Sequence, residues 1–193
     1  MSGNEKKKKL IETTAAILRS APSNELNIVV LNKALFYVDL VALRDHGNTL
    51  TENSYIALEN GPVVAKYPQR LIKPLAEARI AEQVDRWNGA KPLVLIKSQE
   101  PPDFLVPHLD TINRVTGYFA TMTSEAASKY SHLNPGWRMA WRSSSETGQP
   151  CPINMLIALQ QIVEDDLWTS EPLVTQERQS IIRAADDGEG ESW

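Results

Sequence analysis

Cysteine is nearly absent. Cys151 is the single one in 193 residues, so no disulfide can close within the chain, and a disulfide-framed scaffold is excluded. Histidine is scarce too. His46, His108 and His132 stand far apart, and with Cys151 they show none of the spacings of a zinc site, so neither metal nor cofactor is expected. No glycine-rich stretch joins a strand to a helix, which removes a phosphate-binding loop. Long apolar runs are missing: the greasiest stretch, Ile28 to Leu43, is interrupted by Asn32, Lys33 and Asp39, so no membrane span is expected. Lys6 to Lys9 lead into Leu10 and Ile11 without the apolar core of a secretory signal, and cytoplasm is the expected location. An excess of positive charge is also lacking. The net charge of −4 speaks against a broad phosphate-binding surface, and a nucleic-acid partner is not expected.

What is present is an ordinary globular composition, 42% hydrophobic and 23% charged, enough for a real core. Helical periodicity runs from Asn4 to Ser20, with Leu10, Ile11, Thr14, Ala15 and Leu18 on one face, and stops at Pro22. A second helix is expected from Leu26 to Asp45. Its apolar residues lie on nearly every side, the mark of a central, buried helix, and Gly47 closes it. After a short apolar piece, Tyr55 to Leu58, the pair Gly61-Pro62 reads as a turn with Pro62 starting a helix, which Pro68 and Pro74 then break. Ile80 to Trp87 and Leu93 to Ile96 read as a β-hairpin around Asn88-Gly89. Asp103 to Met122 reads as one helix, a short helix follows Thr123, Asn134-Pro135 starts another, and Ile153 to Leu167 is the last of the core. The expected fold is therefore mainly α: a compact single helical domain over 1–167 with a small β-hairpin, followed by a tail over 168–193.

Residues 164–193 hold nine acidic and two basic groups, a net of −7 against +3 for the remainder, so charge is segregated into the tail. Val174, Ile181 and Ile182 suggest a short helix before the acidic end.

Two stretches carry a resemblance. The first is LNKALFYVDLVALRDHGNTLTENSYIALENGPV, Leu31 to Val63, with Lys33, Tyr37 and Asp39 in an apolar helix, then Gly47, Tyr55 and the turn Gly61-Pro62-Val63. The second is SHLNPGWRMAW, Ser131 to Trp141, with His132 and Trp137. In order and spacing they resemble the Panacea domain of SocA-like antitoxins. The resemblance implies a compact helical domain that is not an enzyme and neutralises a cognate toxin by direct binding. That toxin is expected from the adjacent gene and is an alarmone-synthetase-like or other translation-blocking enzyme. It also leaves open an adaptor that delivers its partner to an ATP-dependent protease. The motif positions themselves read as structural, because polar groups in a buried helix must find internal partners. A toxin surface is expected instead in the tail, at Trp168, Leu173, Ile181, Ile182 and Trp193, where aromatic and apolar anchors stand in acidic sequence. A hydrolase using Cys151 with His132 or His108 is the alternative from another class. The flanking Pro150 and Pro152 favour a packing role for that cysteine.

Overall fold

The computed structural model describes residues 3–87, 90–98 and 100–164, and the fold within them is mainly α. Helix α1 spans Gly3–Ser20 and buries Leu10, Thr14, Ile17 and Leu18, residues three or four apart. A short strand β1, Glu25–Asn27, follows and leads directly into helix α2, Ile28–His46. Asn27 caps α2 by accepting the Val29 N–H at 2.9 Å. Gly47, at φ 75°, ends it in a left-handed turn whose N–H returns to the Leu43 carbonyl at 2.9 Å.

Every residue of α2 from Val30 to Ala42 is buried, because α1 and four later elements pack around it. Strands β2, Tyr55–Leu58, and β3, Gly61–Val64, form an antiparallel hairpin that lies against α2. Helix α3, Lys73–Glu77, follows a π-helical turn at Pro68–Ile72. Strands β4, Ala81–Gln83, and β5, Pro92–Leu95, pair antiparallel, and β1 adds to the other edge of β5 to give the order β1-β5-β4. Helix α4, Leu109–Ala120, presents Ile112, Val115, Thr116 and Phe119 to α1 and α2. Helix α5, Ser124–His132, is capped by Thr123, and α6, Pro135–Thr147, by Asn134. Residues 151–153 run along β2, with the Ala57 N–H on the Cys151 carbonyl (3.1 Å) and the Ile153 N–H on the Tyr55 carbonyl (2.8 Å). Helix α7, Met155–Glu164, then packs on α2 and α6. The approach of α7 to α6 is close, since a Cβ on Gly136 would fall 2.7 Å from that of Ala158.

The mainly α architecture, the antiparallel pairing of β4 with β5 and the central α2 match the expectation from sequence, although these strands are shorter than expected and the turn expected at Asn88-Gly89 lies outside the described residues; three local readings need correction. Pro62 begins no helix: Gly61–Val64 is β3. Proline is admitted because its partner Ala57 directs its N–H away, to Cys151, so no ladder hydrogen bond is lost there. Leu26 belongs to a strand and not to the start of α2, because Glu25, Leu26 and Asn27 find partners in Val94, Leu93 and Pro92, a pairing far apart in sequence. The helix expected from Asp103 begins as a 3-10 turn through His108, where Pro107 lacks the N–H an α-helix would need, and becomes α only at Leu109. The end of the last expected helix, residues 165–167, and the tail over 168–193 lie outside the described residues.

Candidate functional site: buried polar groups around the second helix

Three polar residues of α2 point into the interior in different directions, and each finds a partner far away in sequence. Lys33 is fully buried. Its ammonium donates to the Asn60 carbonyl and, at 3.4 Å, to that of Pro62. Ser128 on α5 donates to the same Asn60 carbonyl at 3.1 Å. The turn between β2 and β3 is thus held from two helices. Gly61, at φ 96°, sits between them. A Cβ there would come within 2.8 Å of Lys33 Cε and Nζ and would collide with Ser131 Oγ, so any other residue is strained at this position. Burial pushes the Lys33 amine down from its ordinary 10.5 to about 7, since carbonyl dipoles replace only part of the lost hydration.

Asp39 lies six residues on and is also fully buried. Its carboxylate accepts the Thr51 N–H at 2.9 Å, the Thr51 hydroxyl and, at 2.8 Å, the Tyr55 hydroxyl. Burial raises its pKa to about 6, against the lowering effect of these donors. Tyr55 is pushed well above its ordinary value by burial and by the neighbouring carboxylate. The polar loop after Gly47 and the start of β2 are in this way tied to α2. Tyr37 points a third way. Its hydroxyl donates to Gln161 Oε1 on α7 at 2.7 Å, and Asn134 Nδ2 donates to the same oxygen at 2.9 Å. Asn134 also donates to the Ala158 carbonyl at 2.9 Å while its Oδ1 caps α6 at the Trp137 N–H. Trp137 donates its indole N–H to the Leu58 carbonyl at 3.2 Å, and its ring lies between those of His132 (centroids 4.0 Å) and Trp141 (5.6 Å), both nearly parallel to it.

The structure therefore gathers Lys33, Gly61 and Pro62 at one end of the hairpin and Asp39 with Tyr55 at its other end. It places Tyr37 beside the α5–α6 junction that holds His132 and Trp137. Gly47 stands apart as an exposed helix terminus. The partners Asn32 (whose side chain accepts the Val64 N–H at 3.2 Å), Thr51, Ser128, Asn134 and Gln161 were not singled out as site residues by sequence. Only Asn134 carried a local signal, as the cap before Pro135. Lys33, Tyr37, Asp39 and Tyr55 are fully enclosed and offer no surface to a substrate. Cys151 directs its sulfur toward Thr147 Oγ1 (3.7 Å) and the Gln149 carbonyl (3.5 Å), while His108 packs edge-on against His46 with centroids at 4.5 Å. Among the described residues no group of three or more His, Cys, Asp or Glu side chains is placed to hold a metal ion. No helix among them is long and apolar enough to cross a membrane.

Apart from Gly47, the two sequence blocks thus meet around the β2–β3 hairpin and α2, where the Trp137 indole donates to the Leu58 carbonyl and Tyr37 reaches Gln161 beside Asn134. A family model described as antitoxin SocA-like, Panacea domain, matches residues 31–138. The chain belongs to this Panacea family. No curated protein and no solved structure matches it. The Panacea span opens at Leu31, just inside α2, and closes at Arg138, in the first turns of α6. It contains every matched position from Lys33 to Trp137. Helices α1 and α7 lie outside it and nevertheless pack on α2, and α7 supplies Gln161, the acceptor for Tyr37 of the Panacea domain. The tail positions Trp168, Leu173, Ile181, Ile182 and Trp193 lie outside the described residues.

Proposed function

We propose that this chain neutralises a cognate toxin by stoichiometric protein–protein binding and without turnover of its own. Membership of an antitoxin family carries the reading. It is supported by the inward orientation of the polar family residues: Lys33, Asp39, Tyr37 and Tyr55 spend their hydrogen-bonding capacity on the scaffold itself. Binding must then be done by the outer surface, which varies more freely than such a scaffold. Two outer features suit a protein partner. Exposed apolar side chains include Trp87, Leu156 and Val163. The acidic tail, with Trp168, Leu173, Ile181, Ile182 and Trp193 as anchors, suits the cationic surface of an enzyme that handles nucleotides or RNA, such as an alarmone-synthetase-like or other translation-blocking toxin.

The test is co-expression with the product of the adjacent gene, followed by a growth assay, copurification and a pulse-chase measurement of toxin lifetime. Restored growth with a copurifying, long-lived toxin is the expected result. Restored growth with a shortened toxin lifetime would replace neutralisation by delivery to an ATP-dependent protease. Failure to copurify or to restore growth would reject the pairing.

A further inference from the structure

The last residue of α2 meets the residue before α4 at the surface. His46 and His108 pack edge to face, with ring centroids 4.5 Å apart and planes at 89°. Neutral rings attract in this arrangement, because the positive edge of one meets the negative face of the other. One proton leaves it usable, as a cation against a neutral ring. Two protons do not, since they set two imidazolium charges at contact distance.

The charged neighbours cannot absorb a second proton. On α2, Arg44 Nε and Nη2 donate to Asp45 Oδ1 (2.6 Å) and Oδ2 (3.2 Å). On α4, Arg114 Nη2 lies 3.0 Å from Asp110 Oδ2. In the 3-10 turn the charged group besides His108 is Asp103, at the far end. Asp45 is held below its ordinary value first by the Arg44 hydrogen bonds, and the charges of His46 and Arg114 act on it as well. Each of the two near carboxylates is thus already matched by a guanidinium. α4 begins at Leu109, so a proton on His108 also meets the positive end of that helix dipole. Burial first and His46 second hold the His108 imidazole below its ordinary value, against the pull of Asp45.

We propose that His46 and His108 form a proton-operated clasp, closed while at least one imidazole is neutral and opened by acid, which then releases the end of α2 from the start of α4. The closed clasp binds fewer protons than the open one, so falling pH opens it and rising pH restores it. Release is local. Leu50 in the loop after α2 and Leu105 in the 3-10 turn are buried and stay anchored. Residues 46–49 and 106–108 therefore gain freedom while the core remains packed. The clasp is a property of the free chain and stands or falls without any toxin.

Nuclear magnetic resonance of the imidazole rings in the full-length protein tests it. At about pH 8 the C–H protons of the two rings should show cross-relaxation, and at about pH 5 it should be lost while the far-ultraviolet circular dichroism of the helices is unchanged. His46→Phe keeps an aromatic partner and removes one charge. In that variant the contact should persist at about pH 5, and the His108 titration should move upward, toward its ordinary value. Asp39 titrates near 6 and holds Thr51 beyond the same loop, so the readout is the ring contact and not the loop. A wild-type contact that survives at about pH 5 would overturn the proposal, as would an unchanged His108 titration in His46→Phe. Loss of the contact in His46→Phe at about pH 5 would also overturn it, since the opening would then come from Asp39 and not from the paired imidazoles.

Discussion

Helices α2 and α7 are both rich in apolar residues, yet α2 is enclosed on all sides while α7 leaves Leu156 and Val163 in solvent. The difference comes from position. α2 enters the middle of the fold and is met by α1, β3, α4, α5 and α7, so each of its faces finds apolar surface. α7 is the last described element and is met mainly by α2 and α6, which cover one side. An apolar sequence on a helix therefore states how much cover is needed, and the neighbours decide how much is supplied. α2 can also afford buried Lys33, Tyr37 and Asp39, because three separate elements bring acceptors or donors to them. Gln161 of α7 turns inward to Tyr37 of α2 and to Asn134 before α6.

The sharpest test of this contrast is the same substitution in both helices. Leu35→Asp places an unpaired carboxylate where exposure is nil, at a cost of about 4 kcal/mol or more, and should abolish cooperative melting. Melting near the wild-type temperature would mean that α2 is not the centre of the core. Next in size is Gly61→Ala. The left-handed backbone and the collision with Lys33 and Ser131 together should cost about 2–4 kcal/mol in chemical denaturation. An unchanged denaturation midpoint would show that the hairpin turn is not pinned between α2 and α5.

The two buried charges of α2 are separated by pH. Lys33 titrates near 7 when folded and at its ordinary 10.5 when unfolded, so between these values the unfolded chain binds more protons and stability rises with pH. Asp39 titrates near 6 when folded against an ordinary 3.8, so across that window the folded chain binds more protons and stability falls as pH rises. Urea midpoints should therefore climb from pH 7 to 10 in the wild type and climb less in Lys33→Met. The decline between pH 4 and 6 should be flattened in Asp39→Asn. Parallel profiles for wild type and variants would mean that neither group is held in its folded environment as described. The smallest effect is expected from Leu156→Asp, within about 0.5 kcal/mol on the melting of the core, because the side chain is mostly in water. A loss comparable to that of Leu35→Asp would erase the contrast between the two helices.

Several elements were legible because their signals are local. The all-round apolar pattern of α2, the stop at Gly47, the start at Asn134-Pro135 and the pairing of β4 with β5 each depend on neighbours a few positions away. The hairpin β2–β3 was half legible. Tyr55–Leu58 alternates only briefly, and Gly61-Pro62 suits a helix start as well as a turn, so the choice rests on β2 being flanked by residues 151–153 on its other side. Strand β1 had no signal at all, since its three residues become a strand through β5.

The candidate site divides the same way. Resemblance to the Panacea family marked Lys33, Tyr37, Asp39, Gly61, His132 and Trp137, while periodicity set them in a helical domain, because short-range spacing limits what a buried helix can contain. They could not show that Lys33 serves the Asn60 carbonyl, that Asp39 serves Thr51 and Tyr55, or that Tyr37 reaches Gln161 on a helix outside the family span. Those partners are set by how helices and hairpin close on one another. A buried polar group requires a partner whatever the fold, and only the packed tertiary structure decides which residue that is.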